Sequence, residues 1–301
     1  MALAHLVELR RKTCRIVNRG ELSQKYAFLD PETKIENLEA LGEASGETDA
    51  DLVFVLDCTS KNRMGEVAGL IPKQAVVVNL DHHGDNENFG TFNYVDADAS
   101  AVGEMIYSLF KAAGAVLTPQ VATWLYAAVL TDTGRFKFSN TSPSCLRACA
   151  ELIEKGADPR HITNQIYFNH SPAFLKLLGA VLSSPEMTED QRVCIMTVRG
   201  ETLTNLGVDP EEMEGLVNYS LFLRGVEIGL LFTEKADGKT KVNLRSQNQF
   251  DVARVARVFG GGGHRNAAGC TVPLGLEQAK RIVLEQIQTI LRHEPVRSLD
   301  S

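Results

Sequence analysis

The chain has 301 residues, of which 44% are hydrophobic and 23% are charged, which is enough for one large domain or two of ordinary size. The net charge of 31 − 38 = −7 argues against a protein that binds long duplex nucleic acid. No apolar run reaches the roughly 18 residues of a membrane span, and the six cysteines include no Cys-x-x-Cys pair. We therefore predict a cytoplasmic globular protein, an enzyme by class, that does not bind a membrane.

The first part of the chain alternates apolar runs with helical segments. The β-branched runs 51–57 and 74–81 each end on an aspartate, and their lack of polar alternation is typical of strands buried in a parallel sheet. Helical spacing follows over 100–114 and 119–134, with a proline at the start of the second segment. This order predicts an α/β domain with a doubly wound parallel sheet, in which ligands bind beyond the carboxyl ends of the strands.

A second, smaller α+β domain is predicted after a linker. Residues 182–191 are small, polar and acidic, which is typical of a linker. The strands and amphipathic helices predicted beyond it are 193–198, 226–234, 241–246, 249–259 and 276–292. An Asp-Gly turn at 236–239 indicates a hairpin. We thus predict a first domain over 1–181, a linker over 182–191 and a second domain over 192–301.

Positive charge is concentrated in the second domain. Between Lys239 and Arg265 there are six cations and one anion, a sum of 6 − 1 = +5, so the rest of the chain carries −12. A basic patch on an acidic protein indicates a small anionic ligand. The alternative is a solvated helix face, since runs of charge usually face solvent.

Two adjacent histidines, His82 and His83, follow Asp81 at the end of a predicted strand. Imidazole binds divalent transition metals, and a neighbouring carboxylate can fix the orientation of the ring. Adjacent residues point in different directions, so one histidine as metal ligand and the other as substrate contact is the natural division. The alternative is a solvated loop with two incidental histidines.

Two further aspartates, Asp57 and Asp132, are expected at the same edge of the sheet. Asp57 ends the preceding strand, and a helix returning over the sheet can bring Asp132 there. Carboxylates mixed with imidazole suit manganese or another borderline metal rather than calcium. A pair of such ions promotes phosphoester hydrolysis by activating water.

A glycine run, Phe259–Gly269, lies within the basic part of the chain. Successive glycines allow backbone N–H groups to turn towards an anion, and His264 and Arg265 can add charge-assisted hydrogen bonds. The run is neither a P-loop nor a dinucleotide fingerprint. The sequence does not decide whether the glycine run is a phosphate-binding loop or a flexible hinge.

Five motifs in sequence resemble those of the DHH phosphoesterases. They are Leu-Asp-Cys-Thr-Ser at 56–60, Asn-Leu-Asp-His-His-Gly at 79–84, Thr-Asp-Thr-Gly-Arg-Phe at 131–136, Val-Asn-Leu-Arg-Ser at 242–246 and the glycine run with His-Arg-Asn-Ala-Ala-Gly at 260–269. The C-terminal half resembles the DHH-associated domain. The likeness covers nearly the whole chain. Within the family, the chain resembles the branch of bacterial nanoRNases that also dephosphorylate 3′-phosphoadenosine 5′-phosphate (pAp).

This resemblance implies roles for individual residues. Asp57 matches a carboxylate that bridges two manganese ions, and His82 and Asp132 match ligands of the second ion. His83 resembles a contact to the scissile phosphate and Asp81 its partner, so these two are the predicted catalytic residues. The predicted substrate-binding residues are Arg135, Arg245, Ser246, Gly261, Gly262, Gly263, His264 and Asn266.

The implied function is hydrolysis of short single-stranded RNA (nanoRNA) and of pAp by water activated at two Mn²⁺ ions. Two alternatives stay open. One is a phosphodiesterase for cyclic or linear signalling dinucleotides, and the other is a non-catalytic binder of nucleotides or single-stranded RNA. The sequence is also compatible with a homodimer.

The start of the chain departs from the family pattern. The family opens with a strand, a His-x-x-x-Asp-x-Asp-type motif and Gly-Ser, whereas residues 1–20 resemble the helix and strand that follow them. The implied sheet therefore lacks its first strand, and the first metal keeps only Asp57. We expect an N-terminally incomplete chain, for instance a start placed too late, rather than a natural loss. A natural loss would favour the non-catalytic binder.

Overall fold

The computed structural model describes residues 1–41, 49–213, 215–247 and 250–293. The chain forms two compact units, Met1–Asn169 and His170–Ser301. From the sequence we predict that the first domain ends at residue 181, which is later in the chain than Asn169, where the first unit ends. The mixed α/β class, with a parallel sheet in the first unit and a sheet domain at the C-terminus, is confirmed.

The described part of the first unit contains strands and helices in alternation. Its strands are β1 Ile16–Asn18, β2 Ile35–Asn37, β3 Leu52–Leu56, β4 Val76–Asp81 and β5 Phe92–Val95. Its α-helices are α1 Ala2–Glu8, α2 Leu38–Leu41, α3 Val102–Ala112, α4 Pro119–Asp132, α5 Pro143–Glu154 and α6 Pro159–Tyr167. Shorter 3₁₀ helices span Gln24–Leu29 and Lys61–Leu70.

All strand pairs described in the first unit are parallel. β1 pairs with β2, and β4 lies between β3 and β5 in a second sheet. Among the residues that the structure describes, no strand pairs with β3 on the side away from β4. The parallel strands therefore form two sheets rather than the single sheet that the sequence predicts.

Helices α3 and α4 form the core of the first unit. Met105 and Phe110 of α3 are buried together with Leu125 and Val129 of α4 and with Leu80 of β4. Burial of each such side chain contributes about 1.5–3 kcal/mol relative to exposure. Since α4 ends at Asp132, this packing fixes the position of that carboxylate-bearing residue relative to the end of β4.

The described part of the second unit is built on one sheet. Its strands are β6 Glu186–Met187, β7 Val193–Val198, β8 Ile228–Glu234, β9 Thr240–Ser246, β10 Gly262–His264 and β11 Ala267–Val272. Its α-helices are α7 Pro172–Leu182, α8 Gly200–Leu206, α9 Val252–Val258 and α10 Leu276–His293, and 3₁₀ helices span Pro210–Met213 and Leu216–Phe222. The strand order is β10-β11-β9-β8-β7-β6, in which only the β7–β8 pair is parallel.

Strand β7 contributes side chains to a core on each face of this sheet. Val193 and Ile195 pack in one cluster with α9 and α10, whereas Cys194 and Met196 pack in another with α7. This alternation follows from the two-residue period of a strand. Because α7 packs against this sheet, residues 170–182 belong to the second unit.

The segment 182–191 contains β6 rather than a structureless linker. Glu186 and Met187 pair antiparallel with Ile195 and Cys194 of β7. Its polar and acidic composition resembles a linker because β6 has only two residues and lies at the edge of the sheet. In the described ranges of both units, no helix has the length and apolar character needed to cross a bilayer.

Candidate functional site

The carboxyl ends of β3 and β4 carry four of the five predicted metal-binding and catalytic residues. Asp57 follows β3, Asp81 is the last residue of β4, and His82 and His83 come next. Asp57 adopts φ +55°, and its N–H donates to the carbonyl of Leu80 at 2.9 Å. A left-handed conformation is unfavourable for a non-glycine residue and often marks a functional position. The β3–β4 pairing holds it here.

The three predicted metal ligands, Asp57, His82 and Asp132, form one cluster. His82 Nε2 lies 3.5 Å from Asp57 Oδ1 and 3.5 Å from Asp132 Oδ2. The ligand atoms of this trio all lie within 4.8 Å of one another. His82 Nδ1 is 3.2 Å from the carbonyl of Ala99. Because a carbonyl only accepts, Nδ1 carries a proton, and Nε2 is directed to the carboxylates. One nitrogen and two carboxylate ligands fit a divalent transition metal.

His83 belongs to a second group that shares Asp57. Its Nδ1 lies 2.6 Å from Asp81 Oδ1 and 3.6 Å from Asp57 Oδ1. Atoms of Asp57, Asp81 and His83 also meet the 4.8 Å spacing of a possible metal group. Asp57 therefore lies between the two histidines, and the short bond to Asp81 fixes the orientation of the His83 ring.

Asp81 is held by residues whose roles the sequence did not reveal. Its side chain is fully buried, and its Oδ1 accepts from the backbone N–H of His82 at 2.8 Å. Its Oδ2 accepts from Asn86 Nδ2 at 2.6 Å, and the same nitrogen donates to Asn79 Oδ1 at 2.8 Å. The sequence feature that could have indicated these contacts is the presence of Asn79 and Asn86 on either side of the two histidines.

The cluster shifts the pKa values of its members in opposite directions. Burial lowers the pKa of His82, but the hydrogen bond to Asp57 and the charge of Asp132 outweigh it and raise this pKa to about 9. Burial, reinforced by the negative charge of Asp57, raises the pKa of Asp132 to about 6. Burial raises the pKa of Asp57 and of Asp81, but other contacts leave each pKa below its ordinary value. These contacts are hydrogen bonds and charges from the histidines and, for Asp81, the hydrogen bond from Asn86.

Arg135 lies just beyond α4 in the first unit. Its backbone has φ +64° and its N–H donates to the carbonyl of Leu130 at 2.8 Å. The guanidinium carbon lies 4.8 Å from the centre of the Tyr167 ring, a cation–π contact. Its proposed contact with a substrate phosphate stays a prediction.

Arg245 and Ser246, in the second unit, end strand β9. Arg245 Nε donates to Asn218 Oδ1 at 3.0 Å, and Nη1 donates to the carbonyl of Leu244 at 2.9 Å. Asn218 lies on the 3₁₀ helix Leu216–Phe222, and no motif in the sequence indicates its contact with Arg245. These bonds hold the Arg245 guanidinium in one orientation, and its contact with a substrate phosphate stays a prediction.

Ser246 and Asn266 are bonded to each other. The amide of Asn266 donates to Ser246 Oγ at 2.9 Å, and Ser246 Oγ donates to the carbonyl of Phe250 at 2.6 Å. The backbone N–H of Ser246 donates to the carbonyl of Asn266 at 3.1 Å. These bonds join β9 to the start of β11, and a direct contact with substrate stays a prediction for both residues.

The glycine run forms a strand pair rather than a loop. Gly262 to His264 pair antiparallel with Ala267 to Gly269. A Cβ at Gly261 would lie 2.2 Å from the carbonyl oxygen of Gly269, and one at Gly263 would lie 2.4 Å from that of Ala267. The N–H of Gly261 donates to the carbonyl of Ala256 at 2.9 Å. Close packing therefore accounts for two of these glycines, whereas a Cβ at Gly262 would meet nothing within 4 Å. His264 is exposed at the end of β10.

Family profiles match both parts of the chain. The profile described as "DHH family, N-terminal domain" matches residues 2–129, and the "DHHA1 domain" profile matches residues 190–292. These matches cover β3, β4 and the two histidines in the first unit, and strands β7 to β11 in the second.

Curated relatives carry the same printed name. The "Bifunctional oligoribonuclease and PAP phosphatase NrnA" of Thermus thermophilus is 32% identical over 72% of this chain, and the match spans 65% of that protein. The protein of the same name from Mycoplasma genitalium is 32% identical over 73% of this chain and 69% of its own length. The chain thus spans slightly less than two thirds of the Thermus protein.

A solved structure shares the fold. The exopolyphosphatase-related protein from Bacteroides fragilis superposes with a TM-score of 0.87 over 95% of this chain and 85% of that chain. Its sequence identity is 24%, so the likeness concerns the fold.

Proposed function

The chain belongs to the DHH family of phosphoesterases, and on this basis we propose that it hydrolyses short oligoribonucleotides and pAp with divalent metal ions. The observation that carries the proposal is the placement of Asp57 and Asp132 at equal 3.5 Å distances from His82 Nε2. The names of the curated relatives support the substrate class. A phosphodiesterase for signalling dinucleotides is the nearest alternative within the same chemistry.

The first unit supplies the groups for a divalent ion. Asp57 Oδ1, His82 Nε2 and Asp132 Oδ2 would hold it, and we propose manganese because the donor set mixes carboxylates with imidazole. When bound, such an ion neutralises charge on a phosphoryl group and makes water more acidic. Asp57 also belongs to the group that it forms with Asp81 and His83, so its carboxylate would be available to a second ion.

His83 is the proposed contact to the reacting phosphate. The buried carboxylate of Asp81 accepts from His83 Nδ1, which keeps the proton on that nitrogen and orients the ring. Asp81 receives three further hydrogen bonds, from two backbone N–H groups and from Asn86. Its position is therefore fixed before any substrate arrives, as electrostatic preorganisation requires.

The second unit supplies the proposed grip on the remainder of the substrate. Arg245 is already oriented by Asn218, and a planar guanidinium binds a phosphate with two parallel hydrogen bonds. We propose His264 as a further contact at this unit, and Arg135 as a phosphate contact in the first unit. A single-stranded ligand, a cytoplasmic location and a homodimer are part of the same proposal.

The decisive experiment incubates the purified protein with Mn²⁺ and a 5′-labelled RNA dinucleotide, pAp or cyclic di-AMP in parallel. We expect turnover of the dinucleotide and of pAp, abolished by chelation and by Asp57→Asn. The exposed Asp98→Asn is the matched control and retains full activity.

Faster hydrolysis of cyclic di-AMP than of the other two substrates would favour the signalling alternative. Bound Mn²⁺ and bound RNA without turnover of any substrate would overturn the proposed activity and identify a nucleotide or RNA binder.

A further inference from the structure

The turn before α3 contains a buried carboxylate bonded to a buried serine. Glu104 Oε2 accepts from the backbone N–H of Ser100 at 2.8 Å and from its Oγ at 2.7 Å. Ser100 is 0% exposed and Glu104 8% exposed. A carboxylate is costly to bury without hydrogen bonds, and both bonds reach one residue of the 99–101 turn. Glu104 therefore fixes this turn.

The same turn is linked, directly or through one side chain, to two of the three candidate metal ligands. The carbonyl of Ala99 lies 3.2 Å from His82 Nδ1. The next carbonyl, that of Ser100, accepts from Asn140 Nδ2 at 2.8 Å, and this nitrogen also donates to the carbonyl of Asp132 at 3.2 Å. The turn is thus bonded directly to His82 and, through one amide, to the main chain of Asp132.

Close packing of α3 against α4 makes this arrangement rigid. A Cβ added at Gly103 would lie 2.7 Å from the Cβ of Ala128, so the absence of a side chain lets the two helices approach. Ala128 is one turn before Asp132 on α4. The start of α3 and the end of α4 therefore hold their positions together.

We propose that Glu104 and Ser100 are positioning residues for the metal-binding cluster, and that Asn140 extends their effect to Asp132. Glu104 and Ser100 aim the carbonyl of Ala99 at His82 Nδ1, which leaves Nε2 as the ligand atom. Asn140 separately ties the end of α4 to the turn. This inference rests on the proposed metal-dependent function, because it assigns to these residues the preorganisation of a metal site.

A purely structural role is the competing explanation. The first turn of α3 has no side-chain cap from its N-cap residue, Ala101, and an acidic residue at this point favours the helix start. A cap of this kind contributes stability and has no effect on His82. Asp158 offers the matched control, because its carboxylate accepts from the N–H groups of Arg160 and His161 at the start of α6.

The first measurement concerns the metal-free protein. With ¹⁵N-labelled histidine, the Nδ1–H proton of His82 gives a signal protected from exchange with water, assigned by its loss in His82→Asn. We expect Glu104→Ala and Ser100→Ala to accelerate this exchange at least about tenfold. Glu104→Gln, which retains a carbonyl oxygen as acceptor, restores protection. Asn140→Ala and Asp158→Ala leave the signal in place.

The second measurement is the affinity for Mn²⁺ alone, by calorimetry. We expect Glu104→Ala, Ser100→Ala and Asn140→Ala each to weaken binding about 10- to 100-fold, the usual range for residues that orient metal ligands. Glu104→Gln and Asp158→Ala should bind as the unsubstituted protein does. Asp158→Ala should nevertheless lower the melting temperature, which separates lost stability from lost positioning.

The inference is overturned if Glu104→Ala melts lower, as Asp158→Ala does, yet retains both Mn²⁺ affinity and the protected signal. If Glu104→Ala does not fold, Ser100→Ala decides, since it keeps the backbone bond to Glu104. If the unsubstituted protein binds no Mn²⁺, the proposed metal centre fails, whereas the histidine signal still supports or refutes the positioning of His82.

Discussion

His83 Nδ1 lies 2.6 Å from Oδ1 of Asp81, a carboxylate with no solvent-exposed surface. The two residues are separated by one position in the chain, yet the bond depends on the strand end that buries Asp81. His82, between them, turns the other way and directs its ring to Asp57 and Asp132. One short segment thus serves a metal-binding cluster and a proposed substrate contact.

Asp81→Asn should impair activity through His83. Asp81 Oδ1 accepts from His83 Nδ1 and Oδ2 accepts from Asn86 Nδ2. The substitution replaces one of these two oxygens by an amide donor, so one of the two bonds is lost. A buried polar group left without its partner costs about 1–3 kcal/mol, so we expect a loss of stability of this size and a 10- to 100-fold loss of dinucleotide hydrolysis, by analogy with other orienting partners. Urea unfolding and initial rates test this. Unchanged rates in Asp81→Asn would contradict it.

Metal affinity should rise with pH. The pKa of His82 is raised to about 9 in the metal-free protein, so at neutral pH its Nε2 is protonated and a metal ion must displace that proton. We expect affinity for Mn²⁺ to increase up to about tenfold per pH unit between about pH 6 and about pH 8.5, with proton release.

Calorimetry in buffers of different ionisation enthalpy measures this proton release. His161→Asn, at a histidine that packs edge-to-face on Phe28, should retain the same pH dependence. A pH-independent affinity would contradict the combination of a raised His82 pKa and a ligand role for its Nε2.

Substitutions in the glycine run should differ in effect. Gly263→Ala forces a side chain to φ +141° and to within 2.4 Å of the carbonyl of Ala267, so we expect a loss of about 1–3 kcal/mol. Gly262→Ala meets nothing within 4 Å and should change stability by less than about 0.5 kcal/mol. Thermal unfolding of both variants is the measurement. Equal destabilisation of the two would contradict the strand pairing.

Asn218→Ala should affect substrate binding through Arg245. The 3.0 Å bond to Arg245 Nε orients the guanidinium, and its loss should weaken substrate binding by about 0.5–1.5 kcal/mol. This corresponds to a KM raised about 2- to 10-fold. We expect an unchanged kcat, because Arg245 is proposed to hold the substrate away from the reacting phosphate. Steady-state kinetics on pAp test this, with the exposed Asn205→Ala as control. A lowered kcat with unchanged KM would argue against this role.

Cys14 should be the first thiol to react in the native protein. It is exposed, whereas Cys58, Cys145, Cys149, Cys194 and Cys270 are buried. Partial desolvation and the charge of Glu8 raise the pKa of Cys14, so its labelling by iodoacetamide should accelerate with pH. Mass spectrometry after short exposure identifies the labelled site. Comparable labelling of a buried cysteine would show that its unit opens readily.

In the sequence, Asp132 joins the metal ligands only through the resemblance to the family's motifs. The sequence by itself determined the parallel strands at 51–57 and 74–81, the helices over 100–114 and 119–134, and the placement of Asp57 and His82 at the same edge of the sheet. These features can be predicted because hydrophobic periodicity and the residues that follow a strand are local properties of the sequence. The tertiary structure alone decided that α7 belongs to the second unit, and that Gly261 and Gly263 are needed for close packing.

It also decided the bonds of Glu104 and Asn140 to the turn beside His82. Glu104 is only four residues from Ser100, but Asn140 is 40 residues from Ser100, and His82 is 17 residues from Ala99. The two longer contacts join the turn to the metal-binding cluster. Their existence depends on how helices pack, which no local pattern encodes.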